Sequence, residues 1–598
     1  MQYQIVNKKA WIIALIFVVL SGLFVQWKYM NEFPSFIHAW SQTDRYALAL
    51  GFVNNDLDFF HPETFIYNKQ FPHRWNFPYE TTITSVDFPI LEYVVAIVMK
   101  ITGVTSPFIF RICSLIVAFI GLFFLYKLAF LMTNDWIKSI FIVAVAMTSP
   151  VYAYYFNGFI PSIPAFTFMI IAYYFYFKYL NNNEKKSFNI AILFCTLSML
   201  TRSSFAVAYI AILCFEFLRM LRKEASFVGK IFPILISFAI ILSYYLWNRH
   251  LASENGSLFL GKLMLAKNWD DFVYRITRAK DNWMFHYFTN LHYWIFAFII
   301  ASAMFCFVLN FIKKKKEDVV ERNGASLSLW WLCCILFFGN ICFLVAMVKQ
   351  FPNHDYYFID TFFLPILLLI VLSLNALPKI TNYRQAVPAV TLLILFIVFM
   401  LKDVKEMQVK RRAIWRGPDS ERTIKNYQGS EQYLDSLNIS KDAKILTLYA
   451  YPQNAAFIMM NRKGYTAMFD KHDMVKNGLT FDYDYLIIEN EILKKKLKEN
   501  KELYDQIEKL IINFAKKDLI DIILDAKILY DKENIFDILD HVTVCLFANA
   551  EINSNYIDCI KHVNECAKKL RANGNFDMSL DIMIFSIWEE LNENSNRC

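Results

Sequence analysis

The stretch PFIFRICSLIVAFIGLFFLYKLAFL, residues 107–131, decides the fold class. It exceeds the 20 or so apolar residues that a helix needs to cross about 30 Å of hydrocarbon, and its only charges are Arg111 and Lys127. Similar apolar runs lie at about residues 11–27, 136–156, 160–180, 188–200, 204–221, 231–247, 293–312, 327–348, 357–377 and 386–401. The sequence therefore predicts a polytopic α-helical membrane protein with about eleven spans.

The composition agrees with this prediction. Of the 598 residues, 57% are hydrophobic and 17% are aromatic, which is too apolar for a soluble globular protein. The formal net charge is +8, but the basic residues fall between the spans instead of forming one basic surface. No nucleic-acid partner is therefore expected. The first residues resemble a signal peptide, but no small-residue cleavage site follows Trp27, so residues 11–27 are interpreted as an uncleaved span.

Residues 88–103 decide which side of the membrane each loop occupies. This run is apolar but short, and it contains Glu92 and Lys100. If it does not span, the basic clusters all fall on the N-terminal side, which the positive-inside rule makes cytoplasmic. These clusters are Lys8/Lys9, Lys138, Lys185/Lys186, Arg222/Lys223/Lys230, Lys313–Lys316 with Arg322, and Lys379/Arg384. Residues 88–103 are therefore expected to form an amphipathic helix at the outer interface.

This topology predicts an inner (plasma) membrane protein with a cytoplasmic N-terminus. The outer side then holds the first loop (28–105), the links at 248–292 and 349–356, and everything after the last span. Three domains are predicted: a transmembrane domain over residues 1–402, a small α/β outer domain over 403–490, and a helical extension over 491–598.

Two features support the last two domains. Residues 443–449 and 485–488 are apolar runs typical of strands, whereas residues 535–547, 557–570 and 578–591 carry apolar residues at helical spacing. Cys559 and Cys566 share a helix face but are too far apart to bridge each other. Pairing with Cys545 or Cys598 and free core cysteines both stay open.

Asp44 and Asp87 are the candidate catalytic residues of the first outer loop. A carboxylate at the water side of the interface can accept a proton from an incoming hydroxyl or amine, which is the chemistry expected of Asp44. The structural alternative is that Asp44 caps a helix or pairs with Arg45. Asp87 precedes Phe88-Pro89 and is suited to binding a metal or orienting an acceptor, with helix capping as its alternative.

Cations near the outer span ends are candidates for binding an anionic lipid headgroup. An arginine at membrane depth is costly, so Arg111 and Arg202 are functional candidates, with snorkelling to the interface as the alternative. Guanidinium groups match phosphate bidentately. Lys349, His354 and Tyr356 form a second polar outer cluster, in which His354 is either a phosphate donor or merely solvated.

A divalent metal stays open as a cofactor. His286 and His292 lie in the long outer link, and together with Asp87 they offer the nitrogen and oxygen ligands that suit zinc or manganese; magnesium is also considered. No Gly-rich phosphate loop, Walker sequence or Rossmann fingerprint is present, so no nucleotide cofactor is expected.

At these residues the chain resembles the C-type (GT-C) membrane glycosyltransferases that use polyprenyl-phosphate sugars, specifically the family 39-like group of protein O-mannosyltransferases and lipid A aminoarabinose transferases. The resemblance covers about residues 1–400. It is carried by Ala39-Trp40-Ser41-Gln42-Thr43-Asp44, Asp87-Phe88-Pro89-Ile90, Arg111, Pro161-Ser162-Ile163-Pro164, Thr201-Arg202-Ser203 and Asn353-His354-Asp355-Tyr356-Tyr357.

The resemblance implies a role for several of these residues. Asp44 matches the catalytic base of the first outer loop, and Asp87 resembles the acidic residue that assists it or holds a metal. Arg202 and Lys349 match basic positions near the donor phosphate, and Arg45, Arg111, His354 and Tyr356 complete the expected substrate-binding set. The implied partners are a polyprenyl-phosphate-linked sugar donor, an extracytoplasmic acceptor and membrane lipids.

The sequence thus favours an inverting transfer of a sugar from a polyprenyl-phosphate carrier to a lipid, glycan or protein acceptor outside the cytoplasm. Two other classes are considered: a flippase or transporter of lipid-linked glycan, and a polysaccharide polymerase. A transporter predicts a continuous polar pathway, whereas Lys127, Glu216 and Asp360 sit near span ends. A polymerase shares the large outer loop but lacks the Trp-Ser-Gln-Thr-Asp and Asp-Phe-Pro pairing.

Overall fold

The structure is a computed structural model. It describes residues 2–71, 79–226, 229–257, 263–313, 319–414, 418–467, 477–478, 480–489, 534–550, 555–572 and 575–593, together with the single positions 523, 526 and 529. The chain divides into two compact units. The first contains residues 1–64 and 83–418, and the second contains residues 65–82 and 419–598.

The first unit is a helical bundle. Its helices are α1 Gln2–Gln26, α2 Ala39–Asn54, α3 Ile90–Thr102, α4 Pro107–Thr133, α5 Trp136–Thr148, α6 Pro150–Tyr155, α7 Ser162–Asn182, α8 Lys185–Thr201, α9 Ala206–Leu221, α10 Ile231–Asn255, α11 Trp269–Tyr287, α12 Asn290–Lys313, α13 Val319–Ala346, α14 Leu364–Ala376 and α15 Tyr383–Ile414. Short 3-10 turns lie at Trp27–Tyr29 and Ser203–Phe205, and a π-helical turn, Ile359–Phe363, leads into α14.

Each predicted span falls on a helix. Within the described residues, eight helices are long and apolar enough to cross a membrane, and two further apolar helices, Trp136–Thr148 and Phe363–Ala376, are shorter. The remaining predicted span corresponds to α8, which has 17 residues. The prediction of a polytopic helical membrane protein is therefore confirmed, whereas the exact number of spans stays a prediction.

Local sequence explains where several helices begin and end. Asp135 caps α5, because its side chain accepts hydrogen bonds from the backbone N–H groups of Ile137 and Lys138. The predicted span 136–156 is not one helix, since α5 ends at Thr148 and α6 begins at Pro150. Proline has no N–H to donate, so it interrupts the first helix and starts the second.

Polar contacts between the ends of neighbouring helices form two groups, one at each end of the bundle. At one end, Arg111 at the start of α4 donates to the Glu32 carbonyl after α1 and to Asn157 before α7. At the other end, Lys138 at the start of α5 donates to three carbonyls in and after the last turn of α14, and Lys230 before α10 pairs with Glu216 of α9. The first group contains the ends predicted to face outside, and the second contains basic clusters predicted to be cytoplasmic.

The first outer loop contributes α2 and α3 to the bundle. Helix α3 has 13 residues, so it is too short to span, as expected for residues 88–103. Gly51 of α2 lies against the Glu63 backbone, where an added Cβ would collide with the Glu63 carbonyl. The close approach of α2 to the following loop therefore requires glycine at this position.

The second unit contains a three-stranded parallel sheet. Its strands are β1 Ile445–Leu448, β2 Gly464–Ala467 and β3 Tyr485–Ile488, in the order β2-β1-β3. The strands predicted at 443–449 and 485–488 are β1 and β3, whereas β2 was not predicted. Helices α16 Pro418–Asn426 and α17 Ser430–Ser436 precede the sheet, and α18 Gln453–Met460 connects β1 to β2.

Residues 65–82 of the first outer loop belong to this second unit. The Gly464 N–H donates to the Phe65 carbonyl at 2.9 Å, and the Tyr67 N–H donates to the Gly464 carbonyl at 3.0 Å. Gln70 donates to the Gln453 side chain at 2.7 Å and accepts from the Thr466 N–H at 2.9 Å. The loop segment therefore extends the free side of β2, an arrangement that the predicted division at residues 402 and 490 did not include.

Three helices close the second unit: α19 Ile535–Asn549, α20 Asn555–Arg571 and α21 Phe576–Glu593. They match the predicted helical runs and enclose an apolar cluster of their own. Cys545, Cys559 and Cys566 are buried and do not form disulfides. The open choice between disulfide pairing and free core cysteines is thus settled for these three, whereas Cys598 lies outside the described residues.

Candidate active site

Asp44 and Arg45 lie side by side on α2, and both are buried. Helix α2 begins at Ala39, after His38, whose left-handed φ of 56° turns the chain into the helix. Asp44 is therefore in the second turn, and the interpretation of this residue as a helix cap is wrong. Arg45 forms ion pairs with Glu92 at 3.2 Å and with Asp87 at 3.4 Å.

Asp87 lies between two arginines. Its carboxylate accepts from Arg45, and 32% of its side chain is exposed. The next N–H, that of Phe88, donates to the Leu200 carbonyl at 3.0 Å, which ties this loop to the end of α8 just before Arg202. Helix α3 begins at Ile90 with Pro89 as its cap. Asp87 therefore does not cap this helix, so the capping alternative is wrong for this residue too.

Arg202 is a fixed cation beside Asp87. Its Nε donates to the Asp360 carboxylate at 2.8 Å, and its guanidinium carbon lies 5.0 and 5.4 Å from the ring centres of Tyr356 and Tyr357. Burial opposes the charge, but Asp360, the two phenols and Asp87 together hold the pKa of Arg202 well above its usual value. The side chain is 15% exposed. Arg202 therefore places a permanent positive charge near Asp87, whose carboxylate is the most exposed of this site.

Asp355 organises a second ionic cluster. This fully buried carboxylate accepts from Tyr155 at 2.6 Å, from His38 at 3.1 Å and from Arg411. Burial alone would raise the pKa of Asp355, but Arg411 and His38 hold it well below its usual range. Arg411 comes from the last turn of α15, so this pair joins the end of the final long helix to the polar turn before α14.

His354 and Tyr356 connect the two clusters. The His354 ring stacks on His38 with 5.1 Å between ring centres, and Tyr356 packs edge-on against His38 at 5.0 Å. Burial and the neighbouring His38 lower the pKa of His354 to about 4, and its Nδ1 lies 3.2 Å from the Gln350 carbonyl. His354 is therefore a half-buried ring that is neutral at neutral pH, and not the merely solvated residue of the structural alternative.

The structure places two other predicted cations elsewhere. Arg111 is buried and donates to the Glu32 carbonyl at 2.9 Å and the Asn157 carbonyl at 3.2 Å, so it joins chain segments and does not snorkel. Lys349 is half-buried, its backbone donates to the Met264 carbonyl, and its charge acts on Asp271 of α11. These contacts favour a structural role for Arg111 and leave Lys349 a prediction.

Asp87, His286 and His292 do not form the expected metal site. His292 is fully buried, and its ring nitrogens bond to Thr148 at 3.1 Å and to Thr289 at 3.0 Å. His286 lies 3.4 Å from Arg411, and burial together with this cation lowers its pKa to about 4. Among the described residues, no group of three His, Cys, Asp or Glu side chains is arranged to hold a metal. A cation beside His286 would also repel a metal ion.

Several residues of the site were not predicted from the sequence. These residues are His38, Glu92, Tyr155, Asp355, Asp360 and Arg411. Asp355 stands inside the quoted motif Asn353-His354-Asp355-Tyr356-Tyr357, and His38 directly precedes the motif that begins at Ala39, so a search for charged partners near each motif would have flagged Asp355. Nothing in the sequence around Arg411 indicated that it belongs to the site, because the charged end of α15 is typical of the start of a soluble domain.

The candidate site is polar, contains buried cations and lies at one end of a multi-pass helical bundle. Residues 87–263 match the family model of the dolichyl-phosphate-mannose-protein mannosyltransferases. The matched segment includes Asp87, Arg111 and Arg202. The resemblance to family 39-like C-type membrane glycosyltransferases is thereby confirmed.

Three solved structures are similar to the chain at low sequence identity. The apo crystal structure of ArnT from Cupriavidus metallidurans has 9% identity and a TM-score of 0.48, covering 79% of this chain and 88% of that one. The Archaeoglobus fulgidus oligosaccharyltransferase has 12% identity and a TM-score of 0.41 (77% and 64% covered). The mycobacterial arabinofuranosyltransferase AftD has 10% identity and a TM-score of 0.43 (77% and 32% covered). No curated protein matches the chain significantly.

Proposed function

We propose that the chain transfers a sugar from a polyprenyl-phosphate carrier to an acceptor on the outer side of the membrane. The observation that carries this proposal is the ion pair of Asp87 with Arg45, together with its electrostatic interaction with Arg202, at one end of the bundle and at the start of the segment that matches the family model. A carboxylate near a fixed cation allows one site to orient the acceptor and to hold the donor phosphate.

Arg202 is the residue suited to the donor phosphate. In the transfer, the bond between the anomeric carbon and the phosphate oxygen breaks, and negative charge develops on the departing polyprenyl phosphate. Asp360, Tyr356 and Tyr357 hold the guanidinium in place before the substrate arrives, so little reorganisation is needed as that charge develops. A guanidinium has five N–H donors, so Arg202 can bond to Asp360 and Tyr356 and still offer donors to phosphate oxygens.

Asp44 and Asp87 have different roles toward the acceptor. An acceptor hydroxyl or amine forms the new bond to the anomeric carbon from the face opposite the phosphate, and its proton passes to a carboxylate. We assign the proton to Asp44 and the orientation of the acceptor to Asp87. Asp44 is 3% exposed, whereas Asp87 is the more accessible group. Arg45 neutralises part of the charge of Asp87 and fixes its carboxylate relative to Glu92.

The decisive experiment mixes the purified protein with a polyprenyl-phosphate sugar and measures the release of free polyprenyl phosphate. We expect Asp44→Asn to abolish release while expression stays normal, and Asp87→Asn to reduce it and raise the KM for the acceptor. The exposed Asp56, which pairs with Lys100 on the same outer loop, supplies the control Asp56→Asn.

Normal release by Asp44→Asn would remove Asp44 from the base role. Movement of the intact lipid across the membrane without release would instead support a transporter.

A further inference from the structure

A groove on the side of the bundle contains one cation among aromatic and aliphatic side chains. Its lining includes Trp11 of α1, Tyr126, Lys127 and Phe130 of α4, and Tyr174 of α7, and its volume is about 370 Å³. This groove lies away from the candidate active site, since Lys127 and Tyr174 belong to the halves of α4 and α7 that are remote from Arg111 and Ser162.

Lys127 is held in the groove by three aromatic rings. Its Nζ lies 4.8 Å from the ring centre of Tyr174, 5.0 Å from that of Phe124 and 5.8 Å from that of Phe123. Aromatic faces attract an ammonium group but do not neutralise its charge. Among the described residues, no carboxylate lies within ion-pair distance of Lys127, in contrast to Lys178 and Lys230 at the same end of the bundle. The groove therefore has a net positive charge.

The groove opens toward lipid at the level of the headgroups. Helix α1 exposes Ile12, Ile13 and Ile16 beside Trp11, and an exposed apolar face on a membrane span contacts acyl chains. Lys127 stands six residues before the end of α4 at Thr133, which is roughly 9 Å along a helix. A lysine side chain reaches the interface from that depth, so its charge lies where lipid phosphates lie.

We infer that this groove binds one anionic phospholipid from the leaflet at the Lys138 and Lys230 end of the bundle. The Lys127 Nζ donates to a phosphate oxygen of the headgroup, and an acyl chain lies along the rings of Trp11 and Tyr174. The ring contacts hold the ammonium in place before the lipid arrives, and the missing carboxylate leaves the lipid phosphate as its counter-ion. This leaflet is the predicted cytoplasmic one, which is enriched in anionic lipids.

Native mass spectrometry of the full-length protein in detergent tests this inference. The protein is mixed with phosphatidylglycerol and phosphatidylcholine of identical acyl chains. We expect one phosphatidylglycerol to be retained about fivefold more strongly than phosphatidylcholine, the preference expected from one lysine near a charged headgroup. Lys127→Met should abolish the preference and Lys127→Arg should retain it. Lys178→Met, which removes an equal charge from a lysine paired with Glu184 at the same end, should leave it unchanged.

Four results would overturn the inference. Equal retention of the two lipids by the native protein would show that charge does not select the occupant. An unchanged preference in Lys127→Met would place the lipid elsewhere. Stronger retention of added polyprenyl phosphate than of phosphatidylglycerol would make the groove a carrier site, and a dimer that Lys127→Met dissociates would make it a protein interface. The test does not involve sugar transfer, so its outcome is independent of the proposed function.

Discussion

Two buried carboxylates of one short segment each hold a different arginine. Asp355 pairs with Arg411, 56 residues away in the chain, and Asp360 pairs with Arg202, 158 residues away. Breaking a buried pair by removing one partner leaves an uncompensated charge, so these pairs fix the positions of both arginines. The sequence could predict Arg202 as functional, because an arginine at a span end is costly, but it could not predict its partner, because nothing local signals a contact over such a separation.

Arg202 and Arg111 offer a test that separates function from structure. Arg202→Gln should reduce sugar transfer by about 10²–10³-fold, the usual effect of removing one fixed group that stabilises developing charge. Arg111→Met should instead leave the buried carbonyls of Glu32 and Asn157 without a donor, at about 1–3 kcal/mol for each group. Transfer assays and thermal melting in detergent measure the two effects. A folded, normally active Arg202→Gln protein would contradict the phosphate role.

The two histidines with low pKa values predict a pH dependence of stability. His354 and His286 each have a pKa of about 4 in the folded protein, against about 6.5 for an unfolded chain. As pH falls from 6.5 to 4, the unfolded chain binds protons first, so the free energy of unfolding decreases over this window. Arg411 and His38 lower the pKa of Asp355 in the folded protein, so Asp355 adds a slope of the same sign near the acidic end of this window, where the unfolded carboxylate begins to bind protons.

Melting temperatures measured from pH 7 to pH 4 check this prediction. We expect His354→Gln to flatten part of the slope, while His286 retains its contribution. His61 is exposed on the first outer loop, so His61→Gln serves as the control and should keep the full slope. A slope that is identical in His354→Gln and the native protein would rule out the burial of a neutral His354.

At the scale of elements, the sequence predicted the long helices well because each is a continuous apolar run. The sequence pattern did not predict element boundaries that depend on one or two residues. The predicted span 136–156 is broken at Ser149–Pro150, and β2, with the sequence Gly-Tyr-Thr-Ala, is too short and too mixed to stand out. The contact of residues 65–67 with β2 could not be predicted either, because it joins segments that are remote in sequence.

Gln70 is the side chain that best tests this contact. It bonds to the Gln453 side chain and to the Thr466 N–H, and it is 2% exposed. Gln70→Leu should destabilise the second unit by about 1–3 kcal/mol, since it leaves buried polar groups unpaired. Limited proteolysis measures this as faster cleavage after residue 419. The neighbouring Lys69→Met, which removes only a weak 3.9 Å pair with Glu80, should be nearly neutral; equal cleavage rates in both variants would contradict the assignment.

At the scale of the whole molecule, basic residues collect at one end of the helices and the candidate site forms at the other. This separation predicts that positions 56 and 185 lie on opposite sides of the membrane. In intact cells, a membrane-impermeant thiol reagent should label Asp56→Cys, whereas Lys185→Cys should be labelled only after permeabilisation. The native protein gives the background; within the part of the chain that the structure describes, its exposed cysteines lie on membrane helices. Reversed labelling would invert the predicted orientation.

The division of the chain into units has a consequence for its biosynthesis. The polypeptide passes from one unit to the other at residues 64/65, 82/83 and 418/419. Gln70 leaves the ribosome 383 residues before its partner Gln453, which corresponds to about 20–80 s at usual elongation rates of about 5–20 residues per second. In the predicted topology, the loop segment crosses the membrane during that interval without the strand that it joins. Factors that shield exported chains would therefore be needed most during the synthesis of the intervening membrane helices.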